Sequence, residues 1–367
     1  MNFKILMFSH EYPPYGGGAG VVASQFIKEL SSHNNIKVDL LTHSNVNKEL
    51  FCNETYHVTL KKGMWLFNYA KYIKNNINLD NYDYIICNDI ISIHIAGLFF
   101  SKKHLNKTIL FLHGSEPEYF IEEKNIKYFM FFNQFSFKRA VKHSKKIVCH
   151  SKYMMKKFES SMKDNDWFGK TKVIYFGYDS EIFNKGAKSS VNNVELNLLT
   201  VSRIEKKKGF LRKLILFNTL VNELKVDAHW DIIGTGSYID EFKDIVKSFN
   251  LKHRVKFLGN VKRDRLKKHY YKCDLFWLLS EYKESFGLVY IEAQACGTTV
   301  IGNNSYGVKE AIINNQTGFL VDNDEQLIDI FTQKKYQYID SDECVKFASQ
   351  FTSKKATEQL LNEMNIL

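Results

Sequence analysis

At 367 residues the chain is past the size at which one hydrophobic core keeps growing, so two domains are expected. Its 44% hydrophobic content, three prolines and 19 glycines exclude a disordered, proline-rich or collagen-like chain. The net charge of +11 calls for an anionic partner, and charge alone leaves nucleic acid, a phospholipid surface and a phosphorylated substrate open.

The charge is concentrated between residues 138 and 172, where 11 basic side chains face three acidic ones. Contact of this segment with an anionic membrane or a polyanionic acceptor is expected, against a plain solvated face as the alternative. None of the six cysteines forms a CxxC pair, which points to a reduced, cytoplasmic protein without structural disulfides. The apolar start is too short for a signal peptide, and no run reaches the length of a membrane span.

In chain order, Lys4–Phe8 reads as a strand that ends in a loop containing Gly16, Gly17, Gly18 and Gly20, and a helix with Val22, Phe26, Ile27 and Leu30 on one side follows. The glycine spacing is not GxGxxG, so the loop is either a structural turn or a ligand-facing one. Strands are expected at 36–41, 58–60, 84–87, 108–112, 146–149 and 173–175, with helices at 65–77, 90–100, 126–143 and 152–158. After a connector at 176–195 the pattern restarts. Strands are expected at 196–201, 229–233, 255–258, 275–279, 298–302 and 317–321, and helices at 210–224, 238–249, 263–270, from about 286, and at 324–331, 342–350 and 352–366. Alternation at this spacing predicts two α/β domains with parallel sheets, with ligand in the cleft between them.

Candidate site residues gather at the carboxyl ends of strands. Arg203 and Lys208 flank the loop after the first strand of the second domain. One offers a bidentate phosphate contact and the other a point charge, though a solvated loop reads as well. Gly234 and Gly236 lie between a strand and a helix, where backbone N–H groups meet anions. Glu284 sits in the loop after Leu275–Leu279. Glu292 is expected about two turns inside the next helix, roughly 12 Å further along its axis, so the two carboxylates would grip separate parts of an extended ligand. In the first domain His113 ends a strand and is a candidate hydroxyl partner or a structural loop histidine, with Glu116 and His10 as weaker candidates. No HExxH and no compact Asp-x-Asp after a strand is present (Asp164-Asn165-Asp166 lies in a polar loop), so no metal site is expected.

Together these segments resemble the large retaining glycosyltransferase family of GT-B fold, family four, over nearly the whole chain. The resemblance rests on Pro14-Tyr15-Gly16-Gly17-Gly18, on Phe176-Gly177-Tyr178-Asp179 with Phe183, and on Val201–Ile204 through Lys208-Gly209. Its most specific part is the pair Glu284 and Glu292 within Glu-Ser-Phe-Gly-Leu-Val and Glu-Ala-Gln-Ala-Cys-Gly, followed by Thr317–Val321. The resemblance implies two Rossmann-like domains: 1–185 for the acceptor, 186–350 for a nucleotide sugar, and a helix at 351–367 returning to the first. It also implies Arg203 and Lys208 on the diphosphate, Glu284 on sugar hydroxyls, Glu292 on the ribose, and backbone N–H groups of Phe286, Gly287 and Leu288 on sugar or phosphate. Gly17 and Gly18 would lie over the diphosphate and His113 near the acceptor.

The implied reaction is retaining transfer, without metal or cofactor, from a UDP- or GDP-sugar, UDP- being favoured. The implied acceptor is a lipid-linked saccharide or glycan at the inner face of the cytoplasmic membrane, in bacterial surface glycan synthesis. Thr299, Tyr178 and Asn303–Gly307 depart from the family pattern and leave the sugar undetermined. A nucleotide-sugar epimerase, a phosphorylase and a nucleic-acid-binding protein are the rival readings; no nucleic-acid partner is expected.

Overall fold

The computed structural model describes residues 2–14, 17–43, 51–61, 63–122, 132–162, 165–186 and 195–366. Two compact units divide the chain: Met1–Gly177 with Ser353–Leu367, and Tyr178–Thr352.

The first unit is a seven-stranded parallel sheet of order β3-β2-β1-β4-β5-β6-β7. Its strands are β1 (Phe3–Phe8), β2 (Ile36–His43), β3 (Glu54–Val58), β4 (Tyr84–Cys87), β5 (Thr108–Leu112), β6 (Lys146–Cys149) and β7 (Thr171–Val173). The central strands β4 and β5 are buried at every position, as a sheet covered by helices on both faces requires. One face packs helices α2 (Trp65–Asn76), α3 (Ile90–Phe99), α4 (Asn133–His143) and α5 (Lys152–Ser161) through Leu66, Tyr69, Ile93, Phe137 and Phe158. The other face takes α1 (Gly18–Ser31) and the chain's last helix, Ser353–Glu363, through Phe26, Ile27, Leu360 and Leu361. Polar ties fix that return: Tyr84 Oη donates to the Met364 carbonyl, and Ser353 Oγ lies 2.6 Å from Glu29 Oε1.

The second unit is a six-stranded parallel sheet of order β10-β9-β8-β11-β12-β13. Its strands are β8 (Leu196–Val201), β9 (Ala228–Ile233), β10 (Val255–Gly259), β11 (Leu275–Leu278), β12 (Thr299–Asn303) and β13 (Gly318–Val321). Helices α6 (Phe210–Asn218), α7 (Ile239–Ser248), α8 (Arg263–Lys272), α9 (Leu288–Ala295), α10 (Asp324–Thr332) and α11 (Ser341–Ala348) connect and cover them. The core holds Trp230 and Trp277, whose rings meet at 5.1 Å. In each sheet the order reverses beside its first strand, between β1 and β4 and between β8 and β11. The loops leaving these strands open at the crevice where such sheets take ligands.

The two doubly wound α/β units bear out the expected fold class, with differences in detail. The third strand is Glu54–Val58 rather than 58–60, because an edge strand with one fully buried residue carries no apolar run. The strand expected at 173–175 begins at Thr171, where pairing with β6 starts. The helix expected to reach 224 ends at Asn218 and continues as a wider turn, Thr219–Glu223. Residues 126–131 of the helix expected at 126–143 lie outside the described residues, as do 187–194 of the connector. Against a boundary expected at 185–186, packing assigns 178–185 to the second unit as well. There Phe183 is fully buried against the Tyr270 ring, and Tyr178 N–H donates to the Phe351 carbonyl at 3.0 Å.

Helices α3 and α4 approach closely only because residue 97 is glycine: a Cβ there would lie 2.0 Å from the Ser136 carbonyl oxygen. Arg139 reinforces the contact by donating to the carbonyls of Gly97 and Phe100, each at 2.7 Å. Gly97→Ala is expected to lower the unfolding free energy by about 2 kcal/mol. Urea denaturation measures it, and an unchanged midpoint would contradict the close packing.

Candidate active site

The loops after β8 and β11 meet at the switch point of the second sheet. Gly209 makes the meeting possible: it has φ +66, and a Cβ on it would fall 1.9 Å from the Leu279 carbonyl oxygen. Backbone bonds join the loops, with Glu281 and Tyr282 N–H groups donating to the Lys207 carbonyl at 2.9 and 3.1 Å. This brings the Lys208 ammonium to 2.5 Å from Glu284 Oε1, with both side chains largely shielded. The loop after β12 closes in from the other side. Gly307 N–H donates to the Glu284 carbonyl at 2.9 Å, and Asn303 Nδ2 to the Ser280 carbonyl at 2.8 Å. Lys208 and Glu284, 76 residues apart, are thus one charge pair at the mouth of the crevice.

Beside this pair α9 begins. Gly287 precedes it in the left-handed region at φ +93, and Leu288 is its first residue; the Tyr290 N–H donates to the Gly287 carbonyl at 3.0 Å, while those of Leu288 and Val289 precede the first intrahelical bond. Phe286 turns inward, buried against the Phe351 ring at 5.3 Å. Gly234 and Gly236 keep the β9 loop against the β8 loop, since Cβ atoms on them would lie 1.9 Å from the Ser202 oxygen and 2.3 Å from the Ile204 oxygen. The Gly234 N–H is spent on the Gly259 carbonyl at 2.8 Å.

Arg203 is not brought to Lys208. Its side chain is 67% exposed and pairs with Glu205 of its own loop at 3.0 Å. Glu292 lies one turn inside α9 rather than two, because the helix starts at Leu288. It is 1% exposed, forms an ion pair with Arg263, and has the Tyr270 hydroxyl 3.4 Å from its second oxygen. Burial pushes its carboxyl pKa up, and Arg263 opposes the shift. Lys208–Glu284, largely shielded at the mouth, and Arg263–Glu292, inside, are thus two cation–carboxylate pairs of the crevice, with Arg203–Glu205 exposed beside them.

The carboxyl edge of the first sheet is organised around Asp89 and Asn88 at the end of β4. Asp89 Oδ2 accepts the backbone N–H groups of His10 and Glu11, and Asn88 Nδ2 donates to Ser9 Oγ and to the Ala19 carbonyl, each at 2.9 Å. These bonds hold the loop between β1 and α1. Within it Gly17 N–H donates to Glu11 Oε2 at 2.6 Å, while Gly18 is exposed at the first position of α1; Tyr15 and Gly16 lie outside the described residues.

His113 Nε2 is 3.2 Å from Asn88 Oδ1, and the ring packs on Phe176. Burial first, then His150, push the His113 pKa down to about 3, so it is neutral at pH 7. Glu116 holds the same loop from below, accepting the N–H groups of His113 at 3.0 Å and Gly114 at 2.7 Å. His10, with its pKa lowered to about 4 by burial and by His43, is 3.1 Å from the Tyr69 hydroxyl.

Two residues escaped sequence reasoning. Arg263 was one of several charges at the start of α8, and nothing in its neighbourhood marked it as the counter-ion of a carboxylate 29 residues later. Lys213 is fully buried, 3.2 Å from Thr200 Oγ1 and over the Phe210 ring, and burial drives its pKa well down. Its spacing behind Phe210 on an apolar helix face was the one available signal. Among the described residues no group of three or more His, Cys, Asp or Glu is placed to hold a metal, and no helix is long and apolar enough to cross a membrane. All six cysteines are buried, and none is in a disulfide.

The family profile "Glycosyl transferases group 1" matches residues 182–360, and "Glycosyltransferase Family 4" matches 16–182. An uncharacterised glycosyltransferase of Methanocaldococcus jannaschii is 26% identical over 96% of this chain and 95% of its own. The N-acetyl-alpha-D-glucosaminyl L-malate synthase of Bacillus anthracis is 26% identical over 84% of this chain and 81% of its own. Among solved structures, Anabaena HepE in complex with UDP-glucose superposes with a TM-score of 0.76 at 20% identity, covering 100% of both chains. The sucrose-phosphate synthase of Thermosynechococcus elongatus does so at 0.80 and 19% identity, covering 98% of each.

Removing Arg263 leaves the Glu292 carboxylate buried without its cation. Arg263→Met is expected to cost about 3 kcal/mol in urea unfolding, and adding Glu292→Gln to recover most of it. A single variant as stable as the parent would show that the pair carries no stability.

Proposed function

This chain belongs to the group 1, family 4 glycosyltransferases, and from that premise we propose that it moves a hexose or N-acetylhexosamine from a UDP-sugar, with retention, to an acceptor hydroxyl. The observation that carries the reading is the Lys208–Glu284 pair at the switch point of the second sheet, beside the open N-terminus of α9. A diphosphate arriving there supplies Lys208 with a stronger anion than Glu284. The carboxylate is then released to accept hydrogen bonds from sugar hydroxyls. N–H groups at Phe286, Gly287 and Leu288 add donors where charge develops on the leaving group. Arg203, exposed and held only by Glu205, swings in as the second cation. Glu292 reaches a ribose hydroxyl only once Arg263 shifts, and Gly236 lines the nucleotide side.

In the proposed step the bond from the anomeric carbon to the diphosphate oxygen breaks, and the acceptor oxygen bonds to that carbon on the same face. The acceptor proton passes to a phosphate oxygen of the departing diphosphate, so no protein base is required. Lys208, Arg203 and the helix terminus meet the leaving charge, and the proposal draws on no divalent ion or cofactor. His113, neutral at pH 7, is assigned to hydrogen-bond a hydroxyl, and Gly17 and Gly18 to a phosphate contact that displaces Glu11 from Gly17. The choice of UDP is supported by the UDP-glucose complex of the Anabaena neighbour.

For the acceptor we propose a lipid-linked saccharide or glycan of a bacterial surface polymer. A small soluble hydroxyl acceptor is the second reading, favoured by the similarity to a glucosaminyl malate synthase.

Thermal shift against UDP- and GDP-sugars, followed by product analysis with lipid-linked and soluble acceptors, tests the reading; the anomeric coupling of the product reports retention. Lys208→Ala and Arg203→Ala are each expected to lower turnover about a hundredfold, equivalent to about 3 kcal/mol of transition-state stabilisation, with the fold retained. Near-parental turnover in both would overturn the assignment, and donor turnover without acceptor would favour an epimerase.

A further inference from the structure

The first unit holds a second concave surface, which runs along α2 from Phe67 toward Leu79. It lies where β4 and β5 begin, between α2 and the end of α3, and has a volume of about 1110 Å³. That is slightly more than small-ligand sites, which run from about 300 to 1,000 Å³. Its floor is the buried side chains of Ile73, Ile77, Leu79 and Phe100. Its two walls end in aromatic rings left in solvent, Phe67 at 59% exposure and Phe99 at 46%. Spacing along α2 puts Phe67, Lys71 and Lys74 on one stripe, so two ammonium groups follow the ring along the rim.

Two charges on the rim are available, whereas most of those in 138–172 are engaged within the fold. Lys71 and Lys74 have no ion-pair or hydrogen-bond partner among the described residues, and both are exposed. The acid next to Leu79 of the floor, Asp80, is already held by Lys103 at 2.8 Å and His104 at 2.9 Å. In the segment expected to meet a membrane, several lysines are engaged within the fold. Lys146 and Lys172 share Glu363, Lys157 pairs with Glu118, Lys142 with Asp166, and Lys170 is bound to main-chain carbonyls. An apolar trough flanked by solvent-facing rings and unpaired lysines complements a surface that is oily inside and anionic at its face.

We propose that the groove between α2 and α3 docks the protein on an anionic phospholipid bilayer, acyl chains meeting Phe67 and Phe99 and headgroup phosphates meeting Lys71 and Lys74. It is a docking surface and not the acceptor site. Its far end, at Asn76–Leu79 and Phe99–Ser101, lies about 18 Å along the 12-residue helix α2 from the carboxyl edge, where the loops carrying Gly17 and His113 sit. The inference therefore stands apart from the sugar-transfer reading.

Co-sedimentation of the full chain with phosphatidylcholine vesicles, with and without phosphatidylglycerol, tests it. Binding is expected only with phosphatidylglycerol, and is expected to weaken as salt rises. Lys71→Glu with Lys74→Glu, and separately Phe67→Ser with Phe99→Ser, are each expected to reduce it at least tenfold. Lys138→Glu with Lys156→Glu, in the basic segment, is expected to leave it within twofold. All six side chains lie outside the proposed catalytic machinery, so melting temperature and UDP-sugar binding, measured in parallel, are expected to be unchanged. Those controls separate failure of this proposal from failure of the donor reading. Groove variants that bind vesicles like the parent, or loss of binding only in the basic-segment variant, would overturn it. So would a dimer in light scattering that the groove variants abolish without any vesicle binding, which would give the groove to a second copy.

Discussion

The site in the second unit depends on backbone touching backbone. Gly209, Gly234, Gly236 and Gly307 each sit where a side chain would occupy the position of a neighbouring carbonyl oxygen. Their absence of a Cβ lets the loops after β8, β9, β11 and β12 stack at the carboxyl edge. Only under that constraint do Lys208 and Glu284, from loops far apart in the chain, come into hydrogen-bond contact. The pair is poised: each partner neutralises the other until a better counter-ion arrives. The attraction between them is strengthened by their partial burial and limited by the solvent that still reaches them.

The second pair answers to different physics. Glu292 is inside the protein, where an isolated carboxylate would protonate or drag the fold apart, and Arg263 with Tyr270 satisfies it. Arg263 in turn lies over the Phe183 ring, which ties the segment after the first unit into the same core. A carboxylate so engaged is costly to redirect, in contrast to Glu284. The first unit shows a related economy: Asp89, Asn88 and Glu116 spend their polar atoms on the loops that carry His10, Gly17 and His113. The histidines they frame are buried enough to stay neutral. Hydroxyl groups, rather than phosphates, are the natural company of such rings.

The charge of the chain illustrates why composition is a weak guide to partners. The basic excess of residues 138–172 is conspicuous in the sequence, yet much of it serves acids and carbonyls of its own unit. Lys71 and Lys74, without an ion-pair partner among the described residues, sit on α2, where their number is unremarkable.

The sequence by itself determined the alternation of strands and helices, hence two parallel α/β units, and it named the residues at the strand ends. Those signals are local: a buried parallel strand must be apolar at nearly every position, and a glycine at its end must face something close. The edge strands β3 and β7 were misplaced because, half exposed, they carry no such run. Only the tertiary structure decided which charges meet. That Lys208 pairs with Glu284 while Arg203 stands apart, and that Glu292 turns to Arg263, follows from sheet order. Strand adjacency is settled by long-range packing, and no spacing along the chain encodes it.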